Sequence, residues 1–369
     1  MLFDNIARVY QGPALYSEPQ FRFLNRSARP QVMTIRDTLE TWFSHYPEGQ
    51  TRNDIQGRFR SGDDSQYRSA FFELLLHELL VQLNCRVESH PFMEGTPNRP
   101  DFIISPLTGS PFYLEAAIVS DESDQEAAAR ARLNVIYDVL DQVDSPDLFV
   151  GMRVSGIPAS PPPARQIRAF LERNLAAVDA DEIAGIWGTR GFDGVPRWSF
   201  SDSNWIIEFY PIPKRPEARG RRGGRRIGLF MSEPRSIDSA SAIRNTLLEK
   251  ARRYGEPGLP YIIAVNVLRE FPIDSDDVWD ALFRREDGLW MSLSGPRYTR
   301  VSCVMVASVD VWNIPSPPLC LYHNPWARFA YDSPLTNLPQ ARMQNDEIRW
   351  AGGKLLGELL HLPQNWPEA

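Results

Sequence analysis

The 369-residue chain has little cysteine: Cys85, Cys303 and Cys320 are scattered and odd in number. That excludes a disulfide framework and a paired-cysteine zinc motif, and suits reduced thiols in a cytoplasmic protein. No run of about 18 apolar residues occurs, so no membrane helix is expected. The opening MLFDNIARVY carries an acid at Asp4 and no long apolar stretch after it, which does not suit a signal peptide. Several catalytic fingerprints are missing. There is no Walker loop, no zincin His-Glu pair and no dinucleotide-binding glycine pattern after a strand. A serine-hydrolase elbow is absent too. An excess of positive charge is also lacking. The formal net charge is -7 and the pI near 5.4, which excludes a globally basic nucleic-acid coat but leaves room for a local basic groove.

What is present is a chain with 43% hydrophobic residues, 31 prolines and 10 tryptophans, as a folded protein with many irregular connections would have. Its length suggests two or three domains, or one with a large insertion. Val32, Ile35, Leu39 and Trp42 recur at helical spacing within an N-terminal segment, 1–62. A turn-like Ser61-Gly62-Asp63-Asp64 precedes a long helix, about 65–83, apolar around most of its circumference. Short strands are predicted at Cys85–His90, Asp101–Ser105 and Phe112–Val119, closing a first core segment, 63–120. The stretch 121–235 changes pattern and reads as an insertion. A helix at about 238–254 and the apolar run 261–267 resume the core over 236–312, the run suiting a strand buried on both faces. The remaining 313–369 reads as a C-terminal extension with a helical stretch near 345–361.

Three acids stand out against this background. Glu73 lies inside the apolar helix, Asp101 follows Pro100 at a strand start, and Glu115 sits between Leu114 and Ile118 in a central strand. An ionised carboxylate in such a strand needs a partner or a metal. Two or three carboxylates converging at the end of buried strands could bind Mg²⁺, which keeps waters and substrate oxygens as its other ligands. Such an ion polarises a phosphate and activates water.

The order helix, strand, strand, strand, insertion, helix, strand, with Glu73, Pro100-Asp101 and Glu115, resembles the PD-(D/E)XK nuclease superfamily. The resemblance covers about 65–120 and 236–270. It implies an α/β, restriction-endonuclease-like core with a central mixed sheet flanked by helices. It further implies a Mg- or Mn-dependent nuclease, of bacterial DNA metabolism or defence, acting on DNA or RNA. Glu73, Asp101 and Glu115 would be its metal ligands. The chain is also similar to a group of bacterial proteins sharing Pro-Asp-Phe, Tyr-Leu-Glu-Ala, Lys-x-x-x-Tyr-Gly and Tyr-His-Asn-Pro, a likeness that implies no particular substrate. One departure matters. The family's Glu-x-Lys reads Glu115-Ala116-Ala117 here, so the lysine is missing. Lys250, one turn before Tyr254, is the first candidate to replace it, and His77, one turn from Glu73, the second. The alternative is a nuclease-like fold without catalysis, serving as a nucleic-acid-binding or protein-interaction module. A Gly-rich basic stretch, Lys214, Arg215, Arg219, Arg221, Arg222, Arg225 and Arg226, offers a flexible phosphate-tracking loop or a solvated surface balancing an acidic chain. His323-Asn324-Pro325-Trp326 reads as a turn with polar side chains, its histidine either catalytic or, as the favoured reading, hydrogen-bonded in a structural role.

Overall fold

A computed structural model describes residues 1–119, 122, 124–156, 158, 160–202, 205–220, 227–231, 238–268, 274–316, 319–332, 334–344 and 347–368. The chain forms two compact units, one of Met1–Gln11, Pro19–Asp121 and Ile237–Ala369, the other of Gly12–Glu18 and Glu122–Ser236.

The larger unit is mixed α/β. Among the described residues its sheet has eight strands, in the order Arg86–Ser89, Phe102–Ser105, Phe112–Val119, Tyr261–Val267, Cys303–Ala307, Cys320–His323, Gln340–Gln344 and Glu347–Ala351. The first three pair antiparallel; Phe112–Val119, Tyr261–Val267 and Cys303–Ala307 then run parallel. Every residue of Tyr261–Val267 is buried, as expected of a strand covered on both faces. On one face Tyr113, Ala117, Ile263 and Val265 meet Ile243, Leu247 and Ala251 of the helix Ser239–Arg253. Side chains alternate along a strand, so Phe102 and Leu114 turn to the other face, where the Phe102 ring lies 6.2 Å from His77 of the helix Asp64–Gln82.

The helix Asp64–Gln82 is apolar all round because it is covered all round. It packs on the strands Arg86–Ser89 and Phe112–Val119, and against the helices Pro30–His45 and Gln50–Arg60. Asp63 caps it, accepting from the Ser65 and Gln66 amides. At the other end of the chain the helix expected near 345–361 is corrected. Gln340–Gln344 and Glu347–Ala351 form an antiparallel hairpin, and only Leu356–Leu359 is helical. The local period is two: Ile348 and Trp350 share a face, Ile348 packing on the core and Trp350 lying edge-on to Tyr322 at 5.8 Å. The segment read as an extension therefore supplies three strands of the main sheet.

The smaller unit has its own core. Its sheet runs Trp198–Asp202, Trp205–Pro213, Leu148–Gly156, Ile227–Met231. Val150, Met152, Ile207 and Phe209 pack with Ile136, Leu140, Ile167 and Leu171 from its helices. Gly12–Glu18, which the sequence places with the N-terminal segment, belongs here. Asp138 accepts from the Tyr16 and Ser17 amides at 2.6 and 3.0 Å, a charged acceptor that holds the strap in place.

His77 is 2% exposed, its ring 4.4 Å from Tyr46, and its Nδ1 has no hydrogen-bond partner. Burial first, then nearby His45, push its pKa down from 6.5 to about 4. The folded protein thus holds His77 neutral where the unfolded chain is protonated. Its contribution to stability is complete above pH 6.5 and is lost as pH falls toward about 4. The total is on the order of 3 kcal/mol. Denaturant titrations at stepped pH should show wild type losing more stability across that window than His77→Leu; parallel curves would remove His77 as the cause.

Candidate functional site

Glu115 is fully buried in the middle of the sheet, on the face that meets the helix Ser239–Arg253. Lys250 and Arg253 lie at i and i+3 on that helix, hence on one face, and Tyr254 follows as its C-cap. All three reach Glu115. Lys250 Nζ and Arg253 Nη1 each donate to Oε1 at 2.9 Å, and the Tyr254 hydroxyl lies 2.6 Å from Oε2. The same hydroxyl is 2.9 Å from the Arg99 carbonyl, but a phenol has one proton. The shorter contact, to a charged acceptor, is the stronger claim on it. Burial and then the Glu115 charge push the Tyr254 phenol up, so it stays protonated and able to donate.

Asp101 stands beside this group. It immediately precedes Phe102, which pairs with Leu114, and its Oδ2 accepts from the Ala116 amide at 2.7 Å. Oδ1 has no hydrogen-bond partner among the described residues. Asp101 is held well above the usual carboxylate range. Burial is the largest cause, followed by the charges of Glu115 and Glu73, which outweigh the Ala116 amide and Lys250. Lys250 and Arg253 both pair with Glu115, and neither bonds Asp101.

Glu73 is carried by the helix on the opposite face of the sheet. Both its oxygens are taken by Arg58, with Nη1 and Nη2 at 2.7 Å, and Ser69 Oγ adds a contact at 3.4 Å. This bidentate fork engages both oxygens that the expected role of Glu73 as a third metal ligand would use. It is near enough to raise Asp101 but is already neutralised. His77, on the same helix, is enclosed among Tyr46 and Phe102 and touches none of these carboxylates.

Among the described residues, no three Asp, Glu, His or Cys side chains converge to hold a metal ion. Magnesium needs fewer, since one or two carboxylates with waters and substrate oxygens suffice. The donor set of Asp101 and Glu115 fits that mode: hard oxygens, one without a partner, in a pair whose mutual repulsion a cation would relieve. Lys250 reaches Glu115 from the helix, while position 117 on the strand is an alanine.

The basic stretch divides. Lys214 is corrected as a surface contact. It is buried, and its ammonium donates to the Ser145 and Pro146 carbonyls at 3.0 and 2.8 Å. A strand-end lysine tying down a turn does not face phosphate. Arg219 pairs with Asp181 at 2.5 Å, and Arg215 is exposed. Arg221, Arg222, Arg225 and Arg226 lie outside the described residues.

His323 belongs to a buried chain of its own. Its Nε2 meets Gln340 Oε1 at 2.5 Å and its Nδ1 meets Cys303 Sγ at 3.4 Å. The Gln340 amide nitrogen donates to the Leu335 and Leu338 carbonyls, so Oε1 faces the imidazole and takes the Nε2 proton. Cys303 has no exposed surface and burial pushes its thiol up, so it is an inert core residue. Asn324 donates to the Val301 carbonyl and accepts from the Trp326 amide, as a structural turn requires.

Comparison with protein-family models, curated proteins and solved structures found no match.

The Glu73–Arg58 pair gives a direct test of internal neutralisation. Arg58→Ala leaves a buried carboxylate unpaired and should cost about 3–5 kcal/mol of stability. The double variant Arg58→Ala, Glu73→Gln should recover most of that loss in urea unfolding. Equal losses in both would mean that Arg58 acts through packing and not through charge.

Proposed function

We propose that this chain is a divalent-cation-dependent hydrolase of nucleic-acid phosphodiester bonds, built on a restriction-endonuclease-like core. The observation that carries the reading is Lys250. A lysine missing from the Glu115 strand is supplied by the helix after the insertion, 2.9 Å from Glu115 and beside Asp101. Further support comes from the order of elements. The helix bearing Glu73, three antiparallel strands, the inserted unit, the helix bearing Lys250 and a strand parallel to the third follow one another as in that superfamily.

Asp101 and Glu115 would hold the cation. When bound, it would polarise a phosphoryl oxygen and lower the pKa of attacking water. The remaining work falls to the chain. Lys250 has three N–H donors and spends one on Glu115, leaving two for a non-bridging oxygen that gains charge as the phosphate is attacked. Its side chain is only 16% exposed, and its ammonium meets the carboxylate over the sheet. Tyr254, protonated throughout, fixes the Glu115 carboxylate from the side away from Lys250. Arg253 screens the same carboxylate, and is 41% exposed along its side chain, so it can turn toward a bound phosphate.

A second reading has its own observation. Both oxygens of Glu115 and both of Glu73 are satisfied internally, which suits a nuclease-like fold used only for binding. Incubation with single- and double-stranded DNA and RNA, with Mg²⁺ or Mn²⁺, separates the two. The hydrolase reading expects cleavage by wild type, none by Glu115→Gln, and turnover roughly 10²-fold lower in Lys250→Ala. Lys250→Arg should restore little, because a planar guanidinium does not replace a compact ammonium. No cleavage of any substrate by wild type, or full turnover in Lys250→Ala, would contradict it.

A further inference from the structure

The C-terminal end of the Lys250 helix carries a second group of cations. Arg252, Arg297 and Arg300 converge on one ring. Their guanidinium carbons lie 6.0, 5.4 and 6.0 Å from the centroid of Tyr298. Arg252 Nε also donates to the Tyr298 hydroxyl at 2.8 Å. The other two come from a different segment and are fixed by backbone carbonyls. Arg297 donates to Asp287 and Gly288 at 2.8 and 2.9 Å. Arg300 donates to Ala251 and Gly255 at 3.0 and 3.3 Å.

Two features of this cluster are not accounted for by support of the fold. First, none of the three arginines has a carboxylate partner among the described residues, in a chain with 47 acids and 40 lysines and arginines. Among the described residues only Arg297 feels a nearby acid, Asp287, whose carboxylate is engaged by Arg244 and Arg284, so three like charges stand together with little direct relief. Bonds to turn carbonyls and to one helix-end carbonyl account for how Arg297 and Arg300 are held, but not for the lack of an ion-pair partner. Second, each guanidinium has five N–H donors and uses no more than two, so N–H groups remain on all three. The planar forks are held in place before any ligand arrives, which lowers the entropy lost on binding.

The position ties the cluster to the carboxylates. Arg252 is next in sequence to Arg253, which donates to Glu115, and Arg300 bonds the carbonyl of Ala251, one residue from Lys250. The cluster therefore adjoins the C-terminal turn of the helix whose Lys250 and Arg253 reach Glu115. We propose that Arg252, Arg297 and Arg300, gathered around Tyr298, form the docking surface for the phosphodiester backbone of a nucleic-acid strand entering the Glu115–Lys250 site. This rests on the hydrolase reading for its location, but it concerns binding and needs no metal.

The test is equilibrium binding of the full chain to fluorescein-labelled DNA and RNA oligonucleotides, single-stranded and duplex, in EDTA. Arg252 is the fold-neutral probe, because it is exposed and its one bond is to the Tyr298 hydroxyl. Arg252→Glu should weaken binding roughly tenfold or more, by turning an attraction into a like-charge repulsion. Arg252→Ala should also lower the slope of log K against log salt by about one. Glu115→Gln should bind at least as well as wild type. Unchanged affinity and salt slope in both Arg252 variants, with thermal unfolding unaltered, would overturn the docking surface. Cleavage that persists while Arg252→Glu binds normally would sink the surface alone. Arg252-dependent binding by a wild type that never cleaves would sink the hydrolase reading alone.

Discussion

A carboxylate with no exposed surface, Glu115, sits in the middle of a parallel pair of strands, and much of the larger unit is arranged to make that tolerable. An isolated buried carboxylate is expensive unless it is paired and hydrogen-bonded. Three donors from a single helix meet the need, so the helix Ser239–Arg253 is fixed on the sheet in rotation as well as in position. Ile243, Leu247 and Ala251 then pack where a helix in that rotation puts them. The same constraint explains why Tyr254 is buried and held protonated at the helix end.

Neutralisation and function pull against each other at such a site. Arg58 takes both oxygens of Glu73, and with that the glutamate becomes a strut between two helices. Around Glu115 and Asp101 the cancellation is incomplete. The cations crowd Glu115, while Asp101 keeps an oxygen without a partner and is raised by its neighbours. The unpartnered oxygen lies at the partly exposed end of the pair, and three arginines gather around Tyr298.

Much of the layout was legible in the sequence, for reasons that differ by element. The run Tyr261–Val267 is apolar throughout because it is buried on both faces, and Asp64–Gln82 is apolar around its circumference because helices and strands enclose it. The i, i+3, i+4 spacing of Lys250, Arg253 and Tyr254 was on the page, and Arg253 could have been named with the other two. Arg58 was not legible, since its partner is 15 residues away on another helix. Nor was the gathering of Arg297 and Arg300 at Tyr298, which depends on a turn after the strand pair Met291–Ser292 and Gly295–Pro296. Lys214 misled because charge in a sequence says nothing about burial; two carbonyls of a neighbouring turn took it inside. The C-terminal hairpin was missed because Glu347–Ala351 is short and mostly exposed, so its alternation stood out little.

The central claim is that Asp101 and Glu115 form a cation site whose occupancy competes with the internal cations. Calorimetric titration of Mn²⁺ into wild type, Asp101→Asn and Arg253→Ala addresses it without any substrate. The account predicts saturable binding by wild type, loss of binding in Asp101→Asn, and tighter binding in Arg253→Ala, where one competitor for Glu115 is gone. Absence of Mn²⁺ binding in wild type and Arg253→Ala alike would contradict it.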